Sequence, residues 1–248
     1  MFDLSGRVAL VTGAGQNIGA GIARALAARG AAIAVNDVVA DRAVAVAADL
    51  VAAGGRGIAA PFDVTDAAAV RSGVDAAAER LGPIDILVNN AGIPPGMGVE
   101  RFRETNAGEW ARFIDLNLYC MLHCTRAVID GMCERGWGRV LTISSSAGQV
   151  GVPFGVALYG AGKGGAIAFM RHLALEVARN GVTANAIALG LMDNVDDPAF
   201  VESMAPTIPV GRLGSADDAA AAAVFLVSDE AAWVTGQILG VNGGAVTG

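Results

Sequence analysis

Tyr159 and Lys163 lie four positions apart in the segment Tyr-Gly-Ala-Gly-Lys, at the start of a stretch with a helical pattern. In a helix this spacing places both side chains on one face. An ammonium beside a phenol favours the phenolate and lowers the pKa of the phenol from its ordinary value of about 10. Lys163 is the only lysine of the chain, and arginine does not replace a compact ammonium in this role. The pair therefore predicts a tyrosine that acts as a general base or acid.

A run of three serines and one asparagine in an apolar stretch can support proton transfer. Three consecutive serines, Ser144, Ser145 and Ser146, end the fifth predicted strand, and a hydroxyl there can donate a hydrogen bond to a substrate carbonyl oxygen. Asn117 lies inside a long apolar helical stretch, where an amide needs a hydrogen-bonding partner. From the residues alone, the choice among the three serines stays open.

The first predicted strand runs into the glycine-rich segment Thr12–Gly19, which opens directly into a helix. Such a turn presents backbone N–H groups and the positive end of the helix dipole to a pyrophosphate. Asn17 within it is of a residue type that adopts positive φ at low cost. We expect the segment to bind a dinucleotide through Gly13, Gln16, Asn17, Ile18 and Gly19.

Asp37 follows the second predicted strand. A carboxylate at this place can accept hydrogen bonds from ribose hydroxyls and repels a 2′-phosphate. Because neither Val38 nor the glycine-rich turn carries a Lys or Arg, the charge pattern favours NAD over NADP as the cofactor. Other residues that follow strands are expected to contact the adenosine half: Asp63, Val64, Asn90, Ala91 and Gly92.

All these residues follow apolar segments that alternate with Ala-rich helical patterns. The predicted strands are Val8–Val11, Ala32–Val35, Gly57–Ala60, Ile84–Val88, Val140–Ile143, Val182–Ile187 and Gln237–Val241. The predicted helices are Ile18–Ala28, Arg42–Ala52, Ala67–Arg80, Ala107–Arg135, Tyr159–Arg179 and Ala216–Val227. Strands that are apolar throughout are covered on both faces, which predicts an α/β fold with a doubly wound, Rossmann-type, mostly parallel seven-stranded sheet. Residues 1–248 are expected to form a single dinucleotide-binding catalytic domain.

Taken in order, the motifs resemble the short-chain dehydrogenase/reductase family in its small single-domain form with Tyr-x3-Lys. The resemblance extends from Arg7 to Gly244. It implies four catalytic residues: Asn117, Ser145, Tyr159 and Lys163. Ser145 is selected by counting back from Gly148, as in the Ser-x-x-Gly of the family. The family also implies that Lys163 holds the nicotinamide ribose and that Asn117 holds a water that relays the proton.

Three positions depart from the family pattern. Asn17 replaces the middle glycine of the turn, and Leu189 and Asn194 stand where the family has Pro and Thr after the sixth strand. Near this departure, Gly190 and Met192 are expected to contact the nicotinamide. The family is usually dimeric or tetrameric, which implies a homotetramer, or a homodimer, formed through the two long helices.

The motifs together predict an NAD(H)-dependent oxidoreductase that interconverts a secondary alcohol and a ketone. The substrate is expected to meet Tyr159 and Ser145 and a mostly apolar wall beside a flap at residues 191–210, which favours a small-to-medium neutral substrate. The expected wall residues are Pro94, Pro95, Met97, Gln149, Val150 and Phe154. One alternative is an NADPH-dependent 3-oxoacyl-thioester reductase, distinguished by its cofactor preference. A second alternative is a catalytically silent NAD-binding scaffold, which has no physical need for an intact catalytic set.

Composition and charge limit the other partners. A net charge of −7 argues against nucleic acid. The chain has no apolar run of membrane-spanning length and no signal-peptide pattern at its N-terminus, so a cytoplasmic enzyme without membrane contact is expected. Cys120, His123, Cys124 and Cys133 fall in an apolar helical stretch without a complete ligand set, which predicts packing and no metal site.

Overall fold

Seven parallel strands form one sheet, in the order β3-β2-β1-β4-β5-β6-β7. The computed structural model describes residues 1–92, 98–194 and 197–247. The strands are β1 Val8–Val11, β2 Ala32–Val35, β3 Arg56–Ala59, β4 Ile86–Asn89, β5 Gly138–Ser145, β6 Val182–Leu189 and β7 Ile238–Val241. The strand order reverses between β1 and β4, which opens a crevice at the carboxyl ends of the strands. The predicted seven-stranded Rossmann-type fold is therefore confirmed.

Helices cover both faces of the sheet. They are α1 Asn17–Ala28, α2 Ala40–Ala52, α3 Ala67–Leu81, α4 Trp110–Ile114, α5 Cys120–Arg135, α6 Ala157–Val177, α7 Pro198–Met204 and α8 Ala216–Val227. Along β1, Ala9 and Val11 pack into the core with α1, α2 and α8, whereas Val8 and Leu10 pack into the core with α3, α5 and α6. Because both faces of the strand are buried, every position of it is apolar.

The predicted helix Ala107–Arg135 is helical throughout but is not one regular helix. A 3₁₀ turn at Ala107–Glu109 leads into α4, a π-helical turn occupies Asp115–Tyr119, and α5 follows. Asn117 is the buried residue of the π-helical turn. Such turns are frequent at functional sites, and the helical pattern of the sequence does not reveal this one.

Two central strands extend further than their apolar centres predict. Where the sequence predicts Val140–Ile143 and Val182–Ile187, β5 and β6 have eight residues each and pair along their whole length. The ladder continues into the serines because it is made by backbone groups and does not require apolar side chains. Ser145 consequently ends β5, opposite Leu189 of β6.

The predicted flap at residues 191–210 contains α7 and a 3₁₀ turn at Ala205–Thr207. Asp197 caps α7 by accepting hydrogen bonds from the backbone N–H groups of its first turn. Val195 and Asp196 lie outside the described residues. Motion of this segment over a substrate stays a prediction. Within the parts of the chain that the structure describes, no helix is both long and apolar enough to cross a membrane.

Candidate active site

The glycine-rich turn after β1 has the backbone that its sequence suggests. Asn17 has φ +47° and Gly13 has φ +59°, so the expected positive φ at Asn17 is confirmed. A Cβ at Gly19 would collide with the carbonyl oxygen of Gly13, and a Cβ at Gly13 would lie 3.1 Å from the Cα of Ala91. The turn leads into α1, whose first backbone N–H groups have no partner within the helix.

Side chains that directly follow β2 and β4 hold this turn in place. Asn36 Nδ2 donates hydrogen bonds of 3.0 Å to the carbonyl oxygens of Ala60 and Phe62, and Asn36 Oδ1 accepts one from the Gly13 N–H at 3.4 Å. Asn90 Nδ2 donates to the carbonyl oxygens of Thr12 and Gly13 at 2.9 and 3.1 Å. Asn90, which we expected beside the adenosine, thus supports the turn with its side chain. Sequence reasoning missed the supporting role of Asn36.

Asp37 is buried against the turn. Its Oδ2 accepts a hydrogen bond from the Gly15 N–H at 3.1 Å, and its Oδ1 accepts one from the Val39 N–H at 2.9 Å. A Cβ added at Gly15 would lie 2.6 Å from Asp37 Oδ2 and 2.6 Å from the Cβ of Arg42. Arg42, in the first turn of α2, therefore lies beside Asp37. Sequence reasoning missed this cation because it considered only the chain neighbours of Asp37.

Asp63 and Val64 follow β3 at the same edge of the sheet. Asp63 is exposed, and its Oδ1 accepts hydrogen bonds from the N–H and the hydroxyl of Thr65 at 2.8 and 2.7 Å. Val64 is buried, and its carbonyl oxygen lies 3.4 Å from Nδ1 of His123. The carboxylate of Asp63 thus stabilises its own turn, and contact with an adenine stays a prediction.

Tyr159 and Lys163 lie one turn apart near the start of α6, as their spacing predicts. Lys163 is buried, and its Nζ donates a hydrogen bond of 2.9 Å to the carbonyl oxygen of Ile143. The same nitrogen lies 5.7 Å from the centre of the Tyr159 ring. A Cβ at Gly92 would collide with Lys163 Nζ and would lie 3.0 Å from Asn117 Oδ1. Because Gly92 has no side chain, Lys163 Nζ and Asn117 Oδ1 can both lie next to it.

The nitrogen of the Asn117 amide has a hydrogen-bond partner, whereas its oxygen has none among the described residues. Its Nδ2 donates to the carbonyl oxygen of Phe113 at 2.9 Å. Its Oδ1 is buried and has no hydrogen-bond partner among the described residues. A buried amide oxygen without a partner indicates that a further donor, such as a water, belongs there.

The three serines have different surroundings. Ser144 is buried and donates to the backbone carbonyl oxygen of Lys163, while the Oγ of Ser146 is buried without a partner among the described residues. Ser145 is partly exposed, and its hydroxyl hydrogen-bonds with Tyr159 and accepts from the Ala147 N–H at 3.2 Å. The structure thus favours Ser145 as the serine beside Tyr159.

Burial sets the ionisation of the pair. It raises the pKa of Tyr159 above its ordinary value, and the hydrogen bond with Ser145 opposes that shift. It also lowers the pKa of Lys163 to about 8, against the influence of Cys120. We expected a lowered pKa for Tyr159 beside Lys163, but in this structure the pKa is raised, because desolvation of the phenol is its largest cause.

The predicted nicotinamide and substrate positions lie on different loops. Gly190 donates its N–H to the carbonyl oxygen of Val241 at 3.0 Å, and Met192 is buried and bridges to Gly214. A cavity of about 540 Å³ lies between the glycine-rich turn and these loops, lined by Gln16, Asn17, Ile18, Asp193, Asn194, Ser215, Ala216 and Asp217.

A second cavity, of about 350 Å³, lies beside Tyr159. Of the predicted substrate residues, Tyr159 belongs to its described wall, whereas Ser145, Gln149 and Phe154 do not. Gln149 has a buried Oε1, and Phe154 is largely exposed. Three predicted wall residues lie outside the described residues: Pro94, Pro95 and Met97.

Cysteines do not form a ligand cluster in the described parts of the chain. Cys120 and Cys124 are buried in α5, and all three cysteines are free thiols. No group of three His, Cys, Asp or Glu side chains is placed to hold a metal ion within residues 1–92, 98–194 and 197–247.

Comparisons with a family model and with known proteins show which enzymes this chain is similar to. A family model described as enoyl-(acyl carrier protein) reductase matches residues 13–246. The chain is 38% identical over 246 residues to the 3-oxoacyl-[acyl-carrier-protein] reductase FabG of Escherichia coli, covering 98% of both proteins.

Solved structures give the same family resemblance. A gluconate 5-dehydrogenase from Burkholderia cenocepacia, in complex with NADP and tartrate, has a TM-score of 0.88 and 34% identity, covering 98% of this chain and 96% of that one. A dehydrogenase/reductase from Sinorhizobium meliloti has a TM-score of 0.91 and 32% identity, covering 99% and 97%.

Proposed function

The chain belongs to the short-chain dehydrogenase/reductase family, and on that premise we propose that it is an NAD(H)-dependent oxidoreductase that interconverts a secondary alcohol and a ketone on a small-to-medium, largely apolar substrate. The observation that carries the proposal is the meeting of Tyr159, Ser145 and the buried Lys163 at the carboxyl ends of β4 and β5.

The residues around the crevice fit a nicotinamide dinucleotide. Gly13, Gly15 and Gly19 leave room where side chains would collide. The open Oδ1 of Asn117 and the ammonium of Lys163 both lie beside Gly92. When bound, the cofactor accepts or supplies the hydride. The residues proposed to hold it are Gly13, Gln16, Asn17, Ile18, Gly19, Asp37, Asp63, Val64, Asn90, Ala91, Gly92, Tyr159, Lys163, Gly190 and Met192.

Proton transfer is the task of the protein side chains. At neutral pH the raised pKa of Tyr159 keeps its phenol protonated, so it can give a proton to the substrate oxygen when a ketone is reduced. In the opposite direction the phenolate takes the hydroxyl proton. Ser145 donates a hydrogen bond to the same oxygen, and Lys163 with Asn117 leads the proton to a water.

Asp37 supports NAD as the preferred cofactor, since its carboxylate disfavours a 2′-phosphate. Arg42 and the NADP bound by the Burkholderia relative favour the opposite choice. The second candidate is accordingly an NADPH-dependent 3-oxoacyl-thioester reductase, an activity in line with the name of the E. coli relative. Titration with NAD⁺ and NADP⁺ decides between them: Arg42→Ala weakens NADP⁺ binding if Arg42 pairs with the 2′-phosphate, with Arg71→Ala as the control.

The catalytic proposal is tested by NADH formation from secondary alcohols, sugar alcohols and hydroxyacyl thioesters, with NAD⁺ and NADP⁺ in parallel. Tyr159→Phe is expected to lose nearly all turnover and to keep its cofactor affinity. An active Phe variant would overturn the assignment.

We also propose a homotetramer, or a homodimer, that forms through α5 and α6. Tyr119, which precedes α5 directly, is 49% exposed and Leu175 of α6 is 79% exposed, so both side chains are accessible for contact with a second copy. Sedimentation analysis of the wild-type protein and of Leu175→Glu tests the helix interface.

We also propose a cytoplasmic location, which the three free thiols support.

A further inference from the structure

The cavity beside Tyr159 has an apolar wall with charges at its border. Segment 98–105, α4 and the start of α6 enclose it. Most of its larger wall residues are apolar, namely Val99, Phe102, Phe113, Val156 and Leu158. Its charged wall residues are Arg112 and Glu100. At about 350 Å³, it has room for a small or medium substrate beside Tyr159.

Arg112 is placed to bind an anion. Its guanidinium carbon lies 5.1 Å from the centre of the Phe113 ring, which belongs to the same wall. Its Nη2 lies 3.5 Å from Oε2 of Glu109, and these two side chains are 44% and 52% exposed. An exposed pair with this separation is weak. A guanidinium, in contrast, forms two parallel hydrogen bonds with a well-placed carboxylate, so a ligand can compete with Glu109.

Glu100 limits the charge of such a ligand. Its backbone N–H donates to the carbonyl oxygen of Gly155 at 2.9 Å, which fixes segment 98–105 to the start of α6. Glu100 is exposed and belongs to the same cavity wall as Arg112. With Glu100 in the wall and Glu109 beside Arg112, a ligand with a single negative charge is favoured over a dianion, because a second charge would meet these carboxylates.

We propose that the substrate is a hydroxy acid or oxo acid with an apolar body, whose carboxylate binds Arg112 while its reacting carbon lies at Tyr159. The proposal rests on the proposed function and names the substrate class of the same site. The proposed substrate has the apolar body that the sequence predicts, but it carries a carboxylate, whereas the sequence favours a neutral substrate.

Binding can be measured without turnover. Calorimetric titration of the protein with NAD⁺ present uses linear carboxylates of four to eight carbons and the primary alcohols of equal length. We expect the carboxylates to bind the wild-type protein at least tenfold more tightly than the alcohols. Arg112→Gln is expected to abolish that preference and to leave the affinity for alcohols unchanged. Arg103→Gln, which changes an exposed arginine outside the cavity wall, is the control and keeps the preference.

Each outcome separates the two proposals. Equal affinity for acids and alcohols, or an equal loss in Arg103→Gln, overturns the role of Arg112. Turnover of neutral alcohols that depends on Tyr159 would then leave the oxidoreductase proposal standing. If Arg112→Gln changes the sedimentation of the protein and weakens both ligand series alike, the cavity serves contact with a second copy of the chain, and the substrate inference is wrong. If the protein binds carboxylates more tightly than alcohols but the Tyr159→Phe variant remains active, the binding site is supported and the proposed chemistry is wrong.

Discussion

The hydroxyl of Ser144 donates a buried hydrogen bond of 3.1 Å to the backbone carbonyl oxygen of Lys163. The preceding residue of the strand, Ile143, accepts a hydrogen bond of 2.9 Å from the ammonium of the same lysine. The end of β5 thus fixes both the main chain and the side chain of Lys163. Because Ser145 ends this strand, the positions of the serine and the lysine relative to Tyr159 depend on one rigid element.

Replacing Ser144 is expected to destabilise the protein. Ser144→Ala removes the second donor to the carbonyl oxygen of Lys163, which keeps its hydrogen bond within α6, so the loss is about 1 kcal/mol of the free energy of unfolding. Ser146→Ala is the matched control, since the Oγ of Ser146 has no partner among the described residues, and it should cost close to nothing. Denaturant unfolding of both variants measures the difference. Equal losses would show that the hydrogen bond of Ser144 adds no stability.

Lys163 should make stability depend on pH in the alkaline range. Burial lowers its pKa to about 8 in the folded chain, whereas an unfolded lysine titrates near its ordinary value of about 10.4. Between these values the unfolded chain binds more protons, so the free energy of unfolding rises with pH. We expect the stability of the wild-type protein relative to Lys163→Met to increase from pH 8 to pH 10. A constant difference over this range would contradict the lowered pKa.

Ser145 should influence both the rate and its pH dependence. Its hydrogen bond opposes the raised pKa of Tyr159, so Ser145→Ala is expected to raise this pKa further and to shift the rise of alcohol oxidation to higher pH. Loss of the hydrogen bond to the substrate oxygen should lower kcat by roughly 10²–10³-fold. Profiles of kcat/KM against pH measure both effects. Ser145→Thr keeps the hydroxyl and should restore the wild-type profile, and an unchanged profile in Ser145→Ala would argue against the contact.

The sequence predicts the fold and the position of Tyr159 relative to Lys163 well, because both follow from local patterns. Continuous apolar strands require two covered faces, and a spacing of four on a helix places Tyr159 and Lys163 together whatever surrounds them. The positive φ of Asn17 could also be anticipated, since it follows from the residue type and the turn.

Contacts between distant segments could not be predicted in this way. The Cβ of Arg42 lies beside Gly15 only because α2 starts next to the glycine-rich turn. The choice of Ser145 depends on the direction in which each serine of β5 points, and the raised pKa of Tyr159 depends on its burial. The cavity wall at Arg112 likewise requires α4 and α6 to be packed against each other.

Asn36 should be sensitive to the exchange of its amide for a carboxyl group. Its Nδ2 donates to two buried carbonyl oxygens, those of Ala60 and Phe62, and an ionised carboxylate has no hydrogen to donate. In Asn36→Asp the introduced carboxyl group is expected to have a raised pKa, because only its protonated form can donate to either oxygen. Stability should therefore fall as the pH rises through that pKa, with a loss of about 3 kcal/mol or more at pH 8 and a smaller loss at pH 5. Asn106→Asp is the control, since Asn106 is exposed and its Oδ1 only accepts a backbone hydrogen bond, which a carboxylate can also do. Urea unfolding at both pH values gives the comparison, and similar losses for the two variants would contradict the role of Asn36 in holding the glycine-rich turn.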